Sequence, residues 1–351
     1  MSGTFVLPRG QRASLQISNF KFQIEQSRPA GHAVKQTNAN TCIDSFTESA
    51  RYSVSHVSDK DVRPGNCCGV QRGIAMNLLQ KLARSESPKL KRPFRALWGY
   101  ALQNSGFSER IQLKRSQYTI PFFARSNMAL TLWVDPNHVD RAEEFVYDFL
   151  KPGDTLIDVG ANIGCVTAAG SLAVGDTGSV FSVEPHPQTF RHLQKTIAIN
   201  HCTNVTSLNI ALGAEAGIVN FTDERRKDDN NCVAMNAESG IRVPCMTLAS
   251  LVNEHSISRI AVMKIDVEGF EMQVLQGGES ILQMVDSIYI EVLEHTLQKF
   301  GSCSAAVFKL LQSHGFRCFY FKDDRSNVVA FAQHIALRDW QSELVSIPEA
   351  V

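Results

Sequence analysis

No stretch of the 351 residues approaches the ~20 consecutive apolar residues that a membrane-spanning helix needs. The nine cysteines include no C-x-x-C pair and no zinc-type spacing, and their number is odd. Cys67 and Cys68 are adjacent and cannot easily bridge one another. That usage excludes a disulfide scaffold and fits a reducing compartment, so the expected location is cytoplasmic. A G-x-G-x-x-G fingerprint is missing as well, and no secretory apolar segment opens the chain. The formal net charge is zero, but it hides an asymmetry. Up to Arg125, basic residues exceed acidic ones by about a dozen, and the remainder carries the opposite excess. Before Glu25 there is no acid at all, a mild likeness to an organelle transit peptide that lacks the helical stripe of one.

What the chain does have is one dense stretch, Thr155 to His186. Thr155–Val159 is a short apolar run of buried-strand type, closed by the turn Gly160-Ala161-Asn162-Ile163-Gly164. Cys165 to Val174 reads as a helix, Ser179–Val183 as a second buried strand, and Glu184-Pro185 ends it. This is a βαβ unit with a glycine turn after the first strand and an acid after the second. The glycines let a ligand approach the backbone, and an acid about twenty residues on can accept hydrogen bonds from a ribose diol. The unit therefore reads as a site for an adenosine-type cofactor, either a dinucleotide or S-adenosylmethionine. Asn162 stands where a dinucleotide site wants its second glycine, and a side chain there crowds a pyrophosphate. S-adenosylmethionine is the better fit. Cys165, just past the turn, reads as a small core residue rather than a reactive thiol.

The motifs IDVGANIG, VEPHP, MKIDVEGFEMQVLQGGE and IYIEV, in this order and spacing, resemble the FkbM family of S-adenosylmethionine-dependent methyltransferases. The resemblance covers roughly Phe107 to Gln333. It implies methyl transfer to hydroxyls of sugars, glycolipids or polyketides.

Taken in order, residues 1–68 are polar and aperiodic and read as a disordered extension. Met76 opens a stretch that can serve as the start of a shorter protein, with residues 1–75 untranslated. Residues 69–106 read as a basic helical linker. Its helix over Val70 to Arg84 has the stripe Ile74, Leu78, Leu79, Leu82, and Arg72, Lys81, Arg84, Lys89, Lys91, Arg92 and Arg95 surround it. This is a solvated helix packed at the domain edge or, as a second reading, a basic arm for peripheral contact with an anionic membrane. No nucleic acid is expected. Residues 107–150 read as strands, including Met128–Val134, and a helix from Val139 to Leu150, packing on the core. The S-adenosylmethionine-binding domain is expected over 151–340, with a tail at 341–351. Asp223 to Gly240 is too long and polar for an ordinary connection and reads as a loop near the site. The expected fold is α/β, Rossmann-like, of the class I methyltransferase type. Its sheet is mostly parallel and seven-stranded, ending in the antiparallel hairpin Phe316–Phe321 and Asn327–Ala332.

Methyl transfer needs positioning and removal of the acceptor's proton. For the cofactor, the backbone around Gly160, Asn162 and Gly164 is expected to hold the methionine portion, and Asp158 to orient that loop or meet the ammonium group. Glu184 is assigned to the ribose, with Pro185 and His186 flanking it, and Asn209 and Leu212 to the adenine. For the acceptor, Asp266 and Glu268 leave the fourth core strand on one side by alternation. Glu291 ends the neighbouring strand, and His295 lies four residues on. One of Asp266, Glu268, Glu291 or His295 is expected to be the general base, or to bind acceptor hydroxyls. No metal is required, although such an acid cluster could also hold a divalent ion on a diol. The expected function is an O-methyltransferase acting on a sugar, glycolipid or similar polyhydroxylated small molecule or glycan. Competing readings are a dinucleotide oxidoreductase, a non-enzymatic cofactor-binding protein and a protein N-methyltransferase. Oligomeric state has no signature in the sequence.

Overall fold

A computed structural model describes residues 92–223, 232–234, 240–337 and 342–349. These belong to one compact unit, Gln71–Val351. The expected helix over Val70 to Arg84 and most of Asp223 to Gly240 lie outside the described residues.

The elements before the core are α1 (Pro93–Gln103), β1 (Gln112–Lys114), β2 (Thr119–Pro121), α2 (Asn127–Val134) and α3 (Arg141–Phe149). The core runs β3 (Thr155–Val159), α4 (Cys165–Val174), β4 (Ser179–Val183), α5 (Pro187–Ile199) and β5 (Val205–Leu208). An excursion follows: β6 (Ala211–Leu212), β7 (Gly217–Phe221) and β8 (Ile241–Met246). Then come α6 (Leu248–Glu254), β9 (Ile260–Ile265), α7 (Glu271–Gly277), β10 (Val285–Glu291), α8 (Glu294–Leu297), α9 (Ser304–Ser313), β11 (Phe316–Phe321), β12 (Asp324–Ala332) and β13 (Leu344–Ser346).

The main sheet has the order β13-β11-β12-β10-β9-β3-β4-β5. Its members from β10 to β5 pair in parallel, while β12 is antiparallel to both β10 and β11. This is the mostly parallel Rossmann-like sheet with a terminal antiparallel hairpin that the sequence predicts. One strand is added: β13 pairs antiparallel with β11 at Phe319 to Phe321. The parallel strands are covered on both faces, so β9 is buried at every position and β3 at all but its first. Apolar side chains on the two faces form two clusters, one around Ile157, Met263 and Ile290, the other around Phe145, Tyr289 and Phe331.

Two local expectations fail. Met128–Val134 is helical, not a strand. Its alternate residues Leu130, Leu132 and Val134 are buried, which imitates a strand, but Ser126 caps a helix by accepting from Ala129 N–H at 3.0 Å. The helix is buried on most sides because α1 covers one flank and the core another. The strand β8 has no counterpart in the sequence reading, because Pro244 in its middle argues against a strand. It lies between β6 and β7 in a separate three-stranded sheet.

Candidate active site

The carboxyl ends of β3, β4, β9 and β10 meet at one place, and hydrogen bonds along the chain hold them there. Gly160 and Ala161 N–H both donate to Val183 O at 3.0 Å, which ties the turn after β3 to the end of β4. Asp266 N–H donates to Val159 O at 3.1 Å and ties it to the end of β9. Gly160 has φ +77°, and a Cβ there would stand 1.8 Å from Asp266 O. Only glycine lets the two strand ends approach this closely. Asn162 also has a positive φ, 49°.

Two adjoining spaces open at these strand ends. The larger encloses about 810 Å³ and runs from Glu184, Pro185 and Leu212 past Gly160 and Asn162 to Asp266, Glu268 and Glu291. Its apolar walls are Val159, Val183, Ala211, Phe221, Val233, Val267, Phe270 and Met128. The second, about 510 Å³, lies against Ala161, Ile163, Cys165, His138, Asp140, Glu143 and Lys264. Both are lined by Met128, Gly160, Asn162 and Asp266.

On the β4 side, charge is met by backbone. Glu184 is only 6% exposed. Its Oε2 accepts from Asn162 N–H at 3.0 Å and its Oε1 from His186 N–H at 2.9 Å. One carboxylate thus fixes the glycine turn and the start of α5 together. Asn209 does not line the cleft; its Nδ2 donates to Glu184 O and Pro185 O, both at 2.9 Å, and pins this strand end. His186 does not line it either. It caps α5 through Nδ1, and its Nε2 stands 3.4 Å from Asp223; burial pulls the imidazole below its usual range, against Asp223. Gly164 (φ +93°) serves packing: a Cβ would come within 2.8 Å of Leu193.

Beneath the turn lies a buried charge network. Asp158 is wholly buried and accepts from Thr167 Oγ1 at 2.7 Å. Lys264 stands 3.6 Å from Asp158 and 3.4 Å from Asp266, and its ammonium donates to Gly160 O at 2.6 Å. Burial pushes the Asp158 carboxyl up, while Lys264 and Thr167 pull it back. Burial alone would pull Lys264 down, but Asp266 and Asp158 together raise it, so the ammonium is held charged. Asp158 and the turn are thus joined through Lys264, which reaches both.

On the β9–β10 side, charge meets charge of the same sign. Asp266, Glu268 and Glu291 each offer an oxygen, and these oxygens lie within 4.8 Å of one another. Glu268 has φ +57°, and Gly269 follows at +107° with Thr296 O 2.5 Å from where a Cβ would be. The pair turns the chain sharply out of β9. Glu271 steadies that turn, its Oε1 accepting from Gly269 N–H at 3.0 Å and Val267 N–H at 3.2 Å. Glu291 is driven far up from the ordinary carboxyl range, first by burial, then by Asp266, Glu268 and Glu271, with Lys264 opposing. A carboxyl in that setting keeps its proton at neutral pH and is a hydrogen-bond donor. His295 is exposed on α8 and lines neither space.

The sequence reading named no role for Met128, Phe221, Val233 or Phe270. Met128 was assigned to a strand, Phe221 and Val233 belong to the excursion, and no short motif marks an apolar wall. The donor set fits S-adenosylmethionine. It offers a strand-end carboxylate for a ribose, apolar walls for an adenine, and acids for a sulfonium cation.

Residues 158–318 match the methyltransferase FkbM domain. The chain is 30% identical over 139 residues to the hexuronic acid methyltransferase AglP of Haloferax volcanii, covering 40% of this chain and 56% of that protein. It is 25% identical over 228 residues to Methyltransferase 1 of Beauveria bassiana, covering 58% of this chain and 89% of that one. A solved S-adenosylmethionine-dependent methyltransferase from Aquifex aeolicus aligns at 14% identity and a TM-score of 0.34, over 55% of this chain and 88% of its own. The fold assignment rests on the strand order described above. By its motifs, its sheet and this match, residues 158–318 form a methyltransferase domain similar to those of the FkbM family, and the cofactor is S-adenosylmethionine.

Proposed function

We propose that the protein is a cytoplasmic O-methyltransferase acting on a hydroxyl of a sugar, glycolipid or similar polyhydroxylated acceptor. The observation that carries this reading is the trio Asp266, Glu268 and Glu291 in the same cleft as Glu184 and the glycine turn. Carboxyl groups on a wall accept and donate the hydrogen bonds that a polyol presents. The name of the Haloferax volcanii relative, a hexuronic acid methyltransferase, supports a carbohydrate acceptor.

In this reading Glu184 receives the ribose hydroxyls, and Leu212, Ala211 and Phe221 flank the adenine. The space beside Ala161, Asp140 and Lys264 takes the amino acid tail. S-adenosylmethionine, when bound, supplies an electrophilic methyl group. The chain's own work is to orient the acceptor oxygen and take up its proton. Glu291 holds one proton and donates to an acceptor oxygen, while the departing hydroxyl proton enters the cluster at Asp266 or Glu268. His295 has no part in this.

Calorimetric titration with S-adenosylhomocysteine tests the first half, beside Glu184→Ala and a circular dichroism check of both proteins. Binding by wild type that a folded variant loses is expected. The second half is tested by release of S-adenosylhomocysteine from S-adenosylmethionine in the presence of a panel of hexuronic acids and glycolipids. A folded wild-type protein that binds no S-adenosylhomocysteine overturns the reading.

A further inference from the structure

Helix α1 has two opposite apolar faces. Ala96 and Gly99 form the first, buried against the rest of the unit beside the hydrogen-bonded Gln103, with Gly99 admitting Leu130 and Trp133 of α2 so closely that a Cβ would stand 2.6 Å from Leu130. Phe94, Leu97, Trp98 and Ala101 form the second, at the spacing i, i+3, i+4, i+7 that lines one side of a helix. All four are exposed, Phe94 at 87%, Trp98 at 64% and Leu97 at 52%. Isolated apolar side chains on a surface are ordinary, but a full helical stripe with a tryptophan and a phenylalanine is an interaction face.

Charge identifies the occupant. The chain entering α1 carries Lys81, Arg84, Lys89, Lys91, Arg92 and Arg95, and Glu86 is the one acid between Asp61 and Glu109. Arg92 and Arg95 face α2, where Arg92 pairs with Asp135 at 3.1 Å and Arg95 lies over the Trp133 ring. The lysines stand before the helix. An apolar stripe rich in Trp, Phe and Leu, beside a run of Lys and Arg, is the pattern of a helix lying in a lipid interface. A second copy of the chain would bring the same basic run against itself.

We propose that α1 docks the protein on an anionic lipid surface through Phe94, Leu97 and Trp98, the negative charge of the lipid answering the basic composition of the sequence that leads into the helix. The docking has a consequence for the cleft. α1 packs on α2, and Met128 of α2 lines both spaces at the strand ends. The cleft therefore stands one helix away from the docked face, and an acceptor presented at a lipid surface lies near it. That consequence rests on the proposed methyl transfer; the docking itself does not.

The test is sedimentation of the full chain with sucrose-loaded vesicles, either pure phosphatidylcholine or phosphatidylcholine with phosphatidylglycerol at 3:1. Wild type is compared with Leu97→Glu/Trp98→Glu, and gel filtration and S-adenosylhomocysteine titration are run on both. We expect binding to the anionic vesicles that weakens with salt and falls at least tenfold in the variant, with S-adenosylhomocysteine affinity unchanged. Absence of wild-type binding overturns the proposal. So does equal binding by the variant, or a wild-type dimer that the variant converts to monomer. Loss of cofactor binding in wild type would overturn the proposed reaction and leave the docking result to be read independently.

Discussion

The two sides of the cleft hold their carboxylates in opposite ways. At the end of β4, Glu184 is surrounded by backbone N–H donors that stabilise its charge. At the ends of β9 and β10, Asp266, Glu268 and Glu291 face one another, and Glu291 is driven to keep its proton. A cosubstrate that must be held in the same pose at every turnover calls for a fixed acceptor of hydrogen bonds. A reacting hydroxyl calls for groups that can give and take a proton. In the proposed reaction the first side binds and the second reacts.

The strongest way to break that comparison is to neutralise each side separately. Asp266→Asn and Glu268→Gln should lower kcat, the more important of the two by about 10²- to 10⁴-fold, the usual weight of a positioned acid or base. Affinity for S-adenosylhomocysteine should stay within a few-fold. If binding falls as steeply as rate in both variants, the two sides are not separate. Next in size is Lys264, which links them. Lys264→Met leaves Asp158 buried with Thr167 as its remaining side-chain donor. Breaking such a pair from one side costs about 3–5 kcal/mol, read by urea denaturation. Adding Asp158→Asn should restore part of the loss; a double variant less stable than Lys264→Met would refute the pairing.

A smaller effect is expected at Glu184→Gln. The amide cannot accept from Asn162 N–H and His186 N–H at once, so one donor is left unmatched at a cost of about 1–3 kcal/mol. Titration should show S-adenosylhomocysteine binding weakened about tenfold or more, with acceptor KM little changed. A shift in acceptor KM alone would move Glu184 to the other side of the comparison.

The same contrast explains what was legible beforehand. Glu184 is read from local spacing, because a glycine turn, a short helix and a strand fix its place within one βαβ unit. Asp266 and Glu291 come from strands that are neighbours in the sheet, so parallel topology was enough to bring them together. The detail that decides their chemistry is not local. Burial of Glu291 depends on β12 pairing across it, at Asn327, and its upward shift depends also on the charges of Asp266, Glu268 and Glu271. His186 and Gly164 sit in the quoted motifs and Asn209 just after the third core strand, and in the fold they cap, pack and pin. Met128–Val134 shows the limit of periodicity, since a helix covered on most sides loses its 3.6-residue signal. β8 stayed hidden behind Pro244, and its partners lie far away in sequence.

The smallest effect at neutral pH, and the most discriminating, belongs to Glu291→Gln. In the unfolded chain the carboxyl ionises near its ordinary value of 4.5, whereas in the fold it holds its proton to about 9. Below 4.5 both states are protonated and the group does not favour unfolding. Between the two values the unfolded chain has released a proton that the folded chain keeps, so stability falls as pH rises. Glutamine carries no such proton. Urea denaturation at pH 5, 7 and 9 should therefore show wild type losing stability progressively relative to Glu291→Gln. Near pH 7 glutamine also reproduces the donor that the protonated acid supplies, so kcat should stay within about tenfold, far less than the loss at Asp266 or Glu268. A wild type whose stability against the variant stays flat over this range would mean that Glu291 is already ionised in the fold at pH 5. The β10 side would then be stabilising a charge, as the β4 side does.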